Sequence, residues 1–318
     1  MAAPSVGEAA IEAHRVELTG FCYRMLGSGF EAEDAVQETL VRAWRHGRRF
    51  DPERGSLRTW LHAIATRVCL DMLRSAQRRA RAVDLAPAAT PGDRLGVPLP
   101  ESAWVLPVPD ERVLTATDPA ELAAQRETVR LAFVAALQLL APRQRAALVL
   151  REVLRFSAAE VAEQLGTSVA AVNSAVQRAR GILRAARPRP GDALRPDDPA
   201  QRELLERYCA AFERYDVDAL VALMHEDITM TMPPYAWWLH GRAAVAAVLR
   251  AAGRPCEGAR MVPVAANGSP AFWQTRPTGS DGAHEPFGLE ILDVSGGLIV
   301  SSTMFLDADR LAPLFAPR

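Results

Sequence analysis

The chain has 318 residues, 49% hydrophobic and 24% charged, which is enough for two or three domains of about 100 to 150 residues and too apolar for a globally disordered chain. The formal net charge of −1 excludes a uniformly basic nucleic-acid coat, yet the blocks differ: +3 over residues 1–81, −5 over 82–125, +7 over 126–189 and −6 over 190–318. Every cation is Arg, because no Lys occurs, so the two positive blocks carry planar forks suited to phosphates and base edges; GC-rich coding explains the missing Lys but not the clustering.

From Val16 to Arg79 apolar residues return at three and four positions, with breakers only at Gly27–Gly29 and Phe50–Ser56, and three helices are predicted. Residues 82–125 carry Pro87, Pro91, Pro98, Pro100, Pro107, Pro109 and Pro119 and no sustained period, which predicts an extended acidic linker. Helices resume over Asp118–Leu140, stop at Ala141–Pro142, and continue through two more to Ala186. A second Pro-rich boundary follows at 188–199. Helices over Gln201–Tyr215 and Val217–Met224 then lead into β-prone stretches such as Ile228–Met232, Gly288–Val294 and Leu298–Phe305, the pattern of an α+β domain.

Cys22, Cys69, Cys209 and Cys256 stand far apart with no C-x-x-C pair, so neither a zinc site nor a disulfide framework is indicated, and no metal or cofactor is expected. The N-terminus lacks a basic patch before a long apolar run. No later run approaches the ~20 apolar residues of a membrane helix. A soluble, cytoplasmic protein with no membrane partner is expected.

In the first basic block, Val36, Leu40 and Ala43/Trp44 fall on one helical stripe, while Asp34, Gln37, Glu38 and Val41 share another face at i, i+3, i+4 and i+7. That second face reads either as solvated surface or as a docking surface. Arg48–Trp60 mixes cations, aromatics and short hydrogen-bonding side chains ahead of a helix. Unstacked bases need such a π-face with cations for the phosphates, although Trp60 and Phe50 also suit a core. On the helix, Trp60 lies on the Leu57, Leu61, Ile64, Val68 stripe, and Arg58, Arg67 and Arg74 lie opposite it.

Asp34-Ala-Val-Gln-Glu-Thr-Leu-Val-Arg-Ala-Trp44, then Arg-Phe-Asp-Pro, then Ser56-Leu-Arg-Thr-Trp60 through Asp71-Met-Leu-Arg74, resembles region 2 of the extracytoplasmic-function group of sigma-70 factors. The resemblance implies that Asp34, Gln37, Glu38 and Val41 face the coiled coil of the largest subunit of core RNA polymerase. It also implies that Arg49, Phe50, Asp51, Ser56, Arg58, Trp60 and Arg67 melt and hold the minus-ten promoter element as a single strand.

In the second basic block, Ser157-Ala-Ala-Glu160 is a capping box that opens a short helix. Gly166-Thr-Ser168 makes a turn, and Val169, Val172, Val176, Ala179 and Leu183 form the buried stripe of a longer helix. This is a helix-turn-helix pattern that offers Ser168, Ala171, Ser174, Ala175, Gln177 and Arg178 toward a major groove, although such helix pairs also occur without DNA. Leu137 to Arg180, through Ala-Pro142-Arg-Gln-Arg, resembles sigma region 4. That implies minus-thirty-five recognition and binding to the polymerase flap. Asn173 and Ala175 stand where the family often has cations; Asn173 remains a candidate base or phosphate ligand. The acidic linker is similar in placement to the family's linker in the RNA exit channel, where its charge would mimic RNA. A plain solvated tether is the alternative.

Ordinary members of this group end near Leu183. Here Leu204-Leu-Glu-Arg-Tyr through Asp216-Val-Asp218 and His225-Glu-Asp227 resembles the opening of SnoaL-like domains, α+β cones of the nuclear-transport-factor-2-like class. The resemblance implies an enclosed pocket, with Asp227, Tyr235, Trp237, Trp238, His240, Trp273 and His284 as candidate lining. Asp216 reads as the cap of the Val217 helix. Asp–His proton transfer occurs in relatives of the fold, but the aromatics suit a core equally, and no enzyme is expected.

The chain is thus expected to be multidomain: an all-α sigma region 2 (10–81), a linker (82–125), a helix-turn-helix sigma region 4 (126–187), a short linker (188–199) and a cone-shaped SnoaL-like domain (200–318). The expected function is promoter recognition with core polymerase. The cone would regulate through a small ligand or an intramolecular contact, as complementary charge allows. Two alternatives are a one-component ligand-sensing regulator and an enzyme tethered to a DNA-binding module.

Overall fold

Two caps decide where the N-terminal helices break. After a short α1 (Glu8–Glu12), α2 (Arg15–Leu26) ends at Gly27, whose φ of +75° suits glycine, and Ser28 opens α3 (Gly29–His46) by accepting from the Glu31 N–H. Ser56 opens α4 (Leu57–Met72) in the same way through Thr59 N–H. Leu18, Phe21, Met25, Val36, Leu61 and Val68 are buried where these helices meet. The computed structural model describes residues 7–74, 79–116, 118–186, 192, 194–195, 197–251, 256–278 and 283–316. Half of the short linker expected at 188–199 lies outside them.

The chain divides into two units, 1–79 with 105–189, and 80–104 with 190–318. The stretch expected as a free linker is therefore folded, one part into each. In the first unit, Val105, Leu106, Val108 and Val113 are buried, Leu106 N–H donates to Gly27 O and Tyr23 Oη donates to Leu106 O at 2.8 Å. Burial of apolar side chains, not helical periodicity, orders this stretch.

A short α5 (Ala82–Leu85) belongs to the second unit. The helix expected over 118–140 is two, α6 (Pro119–Val129) and α7 (Leu131–Leu137), because Arg130 has ψ 142°. Next come α8 (Pro142–Leu148), a π turn at Val149–Val153, α9 (Ala158–Leu165) and α10 (Val169–Ala186). The Ser157–Glu160 box forms in both directions, at 2.8 and 3.2 Å. Gly166 takes φ +59° at the turn. Val172, Val176 and Ala179 are buried, but Val169 is 44% exposed, since the first turn of α10 projects beyond the α9 contact. Arg145 is buried and ties α8 to α2: its Nη1 donates to Gln138 Oε1 at 2.5 Å and also to Met25 O.

In the second unit, α11 (Pro199–Glu213), α12 (Val217–Ala222) and α13 (Arg242–Leu249) pack on one face of a six-stranded sheet: β1 (Met224–Thr231), β2 (Trp238–His240), β3 (Arg260–Ala266), β4 (Ser269–Thr278), β5 (Ala283–Ser295) and β6 (Leu298–Phe305). The strand order is β2-β1-β6-β5-β4-β3, with only β1/β6 parallel. Asp216 caps α12 through Ala219 N–H at 3.0 Å. Tyr208, Phe212, Ile228, Leu239, Phe272, Leu292 and Ile299 join in one core. The opposite face is covered by α14 (Ala308–Phe315), where Phe315 meets Trp273 at 5.5 Å.

Candidate nucleic-acid interface

On α3 the core-facing positions are Ala32, Ala35, Val36, Thr39 and Leu40, which leaves Asp34, Gln37, Glu38 and Val41 together on the exposed face. Glu38 pairs with Arg42 at 2.6 Å. Trp44, expected on the buried stripe, is instead 68% exposed. It sits three residues beyond Val41, so its large apolar ring extends that face, and sequence periodicity placed it one position too far toward the core.

The minus-ten candidates gather around a cavity of about 250 Å³. Arg49, Phe50, Asp51, Ser56, Trp60 and Arg67 line it, with Phe50 and Trp60 tilted at 5.6 Å. The loop is shaped locally, since Asp51 Oδ1 accepts from Glu53 N–H at 3.0 Å while Ser56 serves as the cap. The far wall comes from α9, through Glu160, Glu163 and Gln164. Thr59 Oγ1 donates to Glu160 Oε1 at 3.1 Å. Sequence reading missed this wall because nothing in either segment signals the other.

Arg58 stands apart from the cavity. Its guanidinium donates to Glu17 Oε1 at 2.7 Å through Nε and to Leu154 O at 3.0 Å through Nη2, and it lies 4.4 Å from the centre of the Phe156 ring. Here it is a latch between α4 and the turn before α9. Below it, His62 is buried between Phe21 at 5.6 Å and Phe156 at 5.2 Å. Its Nδ1 lies 2.9 Å from Arg58 O; a carbonyl only accepts, so Nδ1 carries the proton and Nε2 is buried without a partner. Burial pushes the imidazole down to about 4, against the opposing pull of Glu17. Burial also raises the Glu17 carboxyl, but the Arg58 hydrogen bond and the His62 and Arg58 charges hold it below its ordinary value.

At the second basic block, Ser168 Oγ accepts from Ala171 N–H at 3.2 Å, and Ala171, Asn173, Ser174, Gln177 and Arg178 share the exposed face of α10. Arg180 is drawn inward to Glu152 at 2.8 Å.

The cone candidates do not converge. Asp227 and His240 are exposed, Trp273 lies on the face covered by α14, and His284 bonds Thr275 at 3.3 Å at the start of β5. Trp237 is core, with Tyr235 packed against that core. Trp238 holds part of the former linker: its Nε1 donates to Ala86 O at 2.8 Å and its carbonyl accepts from Ala89 N–H at 2.8 Å. Leu99 N–H donates to Pro234 O at 2.8 Å, Arg310 pairs with Glu101, and Ala89 packs against the core cluster.

The polar centre of the cone is a set that sequence reading did not single out. Glu290, 2% exposed, accepts from Tyr208 Oη at 2.9 Å, Ser302 Oγ at 2.6 Å and Gln274 Nε2 at 2.9 Å. Burial raises its carboxyl despite these donors. Burial and the Glu290 charge lift Cys209 to about 12 and Cys256 to about 11. The signal was a lone acid inside the apolar run Gly288-Leu-Glu-Ile-Leu292. Among the described residues, no group of three or more His, Cys, Asp and Glu is placed to hold a metal ion, and no helix is long and apolar enough to cross a membrane.

Residues 10–79 match Sigma-70 region 2, residues 130–183 match Sigma-70, region 4, and residues 205–302 match the SnoaL-like domain. The chain is 45% identical over 311 residues to the ECF RNA polymerase sigma factor SigG of Mycobacterium tuberculosis, covering 96% of this chain and 82% of that protein. The chain belongs to the ECF RNA polymerase sigma factors. SigJ of the same organism is 36% identical over 220 residues, 69% of this sigma factor and 62% of SigJ. The crystal structure of SigJ matches with a TM-score of 0.60 at 26% identity, covering 96% of this chain and 98% of that one. As a member of its family, this sigma factor binds core RNA polymerase and promoter DNA, and its helical regions are followed by a SnoaL-like α+β domain. The one-component regulator is set aside, since the Asp34–Arg74 block belongs to sigma region 2.

Proposed function

We propose that the exposed α3 face docks on the coiled coil of the polymerase largest subunit, that the Phe50–Trp60 cavity holds an unstacked minus-ten base, and that α10 reads the minus-thirty-five element while region 4 meets the flap. The polymerase and its promoters place this work in the cytoplasm. The observation that supports the minus-ten role is the convergence of six expected residues on one cavity with an aromatic pair and Arg49 and Arg67 at its wall. Core-dependent run-off transcription tests it. Phe50→Ala should abolish promoter opening while duplex binding by the holoenzyme persists; unchanged opening would reject the role.

We further propose that the SnoaL-like domain restrains initiation by holding the linker. Two promoter elements about 25 base pairs apart are separated by about 85 Å at 3.4 Å per base pair. The 25 residues from Ala80 to Trp104 reach about 85 Å only when fully extended. While Ala86 to Glu101 is bound to Trp238, Pro234 and Arg310, that stretch cannot extend. Linker release and two-element reading are therefore coupled, and a small ligand or polymerase that favours release would activate.

A further inference from the structure

The cavity beside Trp60 has a second wall, supplied by α9 of region 4. Gln164 of α9 lines it, is 7% exposed, and neither its amide oxygen nor its amide nitrogen has a hydrogen-bond partner. A buried amide with both ends unpaired costs free energy until something supplies a donor and an acceptor. Beside it, Glu163 presents a carboxylate, whereas Glu160 is already engaged by Ser157 and Thr59.

The opposite wall has the complementary chemistry. Phe50 and Trp60 offer π-faces, and Arg49, Arg54 and Arg67 supply cations. At about 250 Å³ the space lies just below the roughly 300–1,000 Å³ of drug-sized pockets, so a base with its ribose fits while phosphates remain at the mouth. Base stacking, an edge carrying both donors and an acceptor, and an anionic tail are the features of a nucleotide. Guanine presents adjacent N1–H and N2–H donors for a carboxylate and an O6 acceptor for an amide N–H; adenine lacks that donor pair.

We propose that free sigma factor, with regions 2 and 4 together, binds a guanine nucleotide in this composite cavity. Its base stacks on Trp60 and Phe50, its edge bonds Glu163 and Gln164, and its phosphates meet Arg49, Arg54 and Arg67. Because α9 supplies one wall of the site, the nucleotide favours the arrangement that covers the cavity. That consequence, unlike the binding itself, rests on the minus-ten reading. The same base chemistry arises in a guanosine of single-stranded promoter DNA, so the two sources must be separated.

The test titrates the full chain, without polymerase, with GTP, with ATP and with a single-stranded minus-ten oligonucleotide, following tryptophan fluorescence and calorimetry. GTP should bind one to one, at least about tenfold tighter than ATP, and Gln164→Leu, close in size but without the amide, should weaken GTP about tenfold or more. Gln164→Leu should retain wild-type folding by circular dichroism, so that a loss of GTP affinity reports the missing amide. Absence of GTP binding at millimolar concentration, equal binding of ATP, or full GTP affinity in Gln164→Leu would overturn the proposal. Binding of the oligonucleotide alone would assign the cavity to promoter DNA and likewise overturn it, while leaving the minus-ten reading intact.

Discussion

The His62 ring of region 2 packs at a tilt of 59° against the Phe156 ring of region 4, with centroids 5.2 Å apart. This contact makes the union of the two regions pH-dependent. The charged and titratable groups facing it are Glu17, Arg58 and His14. With regions 2 and 4 together, burial depresses His62 to about 4; departure of Phe156 would open the ring to water and move it back up toward its ordinary 6.5.

The separated state therefore binds the extra proton, and the closed state is at full strength above about pH 6.5 and loses stability as pH falls toward 4. The shift corresponds to about 3 kcal/mol at the acid end, and to roughly a tenfold change in opening between pH 7.5 and 5.5. Fluorescence energy transfer between dyes on regions 2 and 4 reports the opening. His62→Phe should remove the dependence, and a wild-type response equal to that of the variant would refute the assignment.

Trp44 should matter for polymerase, not for folding. Its ring is 68% exposed, so Trp44→Ala should leave thermal stability within about 0.5 kcal/mol. Interface tryptophans often account for about 2 kcal/mol or more, so affinity for core polymerase should drop about thirtyfold or more. Surface plasmon resonance against immobilised core measures it.

Glu290 gives an opposite pH signature. Its carboxyl is raised in the folded chain, so stability present at acid pH is lost as pH rises from about 4.5 toward the higher folded value. Glu290→Gln keeps an acceptor for Tyr208 and Ser302 and removes this loss once Gln274 turns its amide, so its melting temperature relative to wild type should rise between pH 5 and pH 8. Glu290→Leu strands Tyr208, Gln274 and Ser302, each at a cost of about 1–3 kcal/mol. Calorimetric melts of the three proteins at both pH values decide it.

Local signals carried much of the fold. Ser157–Glu160, Gly166 and Asp216 each fulfil the cap or turn that their residue types imply, because such contacts close within a few residues. The linker was misread for the converse reason: Trp104, Val105, Leu106 and Val108 are apolar without periodicity, and their burial depends on partners far along the chain. Arg58 shows the same limit. Its type and spacing suit DNA, yet Glu17 and Leu154 decide where it points. Trp273 looked like pocket lining until α14 proved to cover its side of the sheet. The Phe50–Trp60 group was legible because one loop and one helix turn hold it.

The coupling of linker to initiation is tested most directly by multi-round run-off transcription with saturating core polymerase, comparing wild type with Trp238→Ala. Removing the indole removes the bond to Ala86 and so weakens the hold on the stretch that must extend, leaving the Ala89, Leu99 and Glu101 contacts. The account predicts about five-fold or more transcript from the variant at equal core affinity, within the 5–150-fold range of typical coupling. Equal transcription, with faster exchange of the Ala89 and Leu99 amides showing that the stretch has loosened, would contradict it.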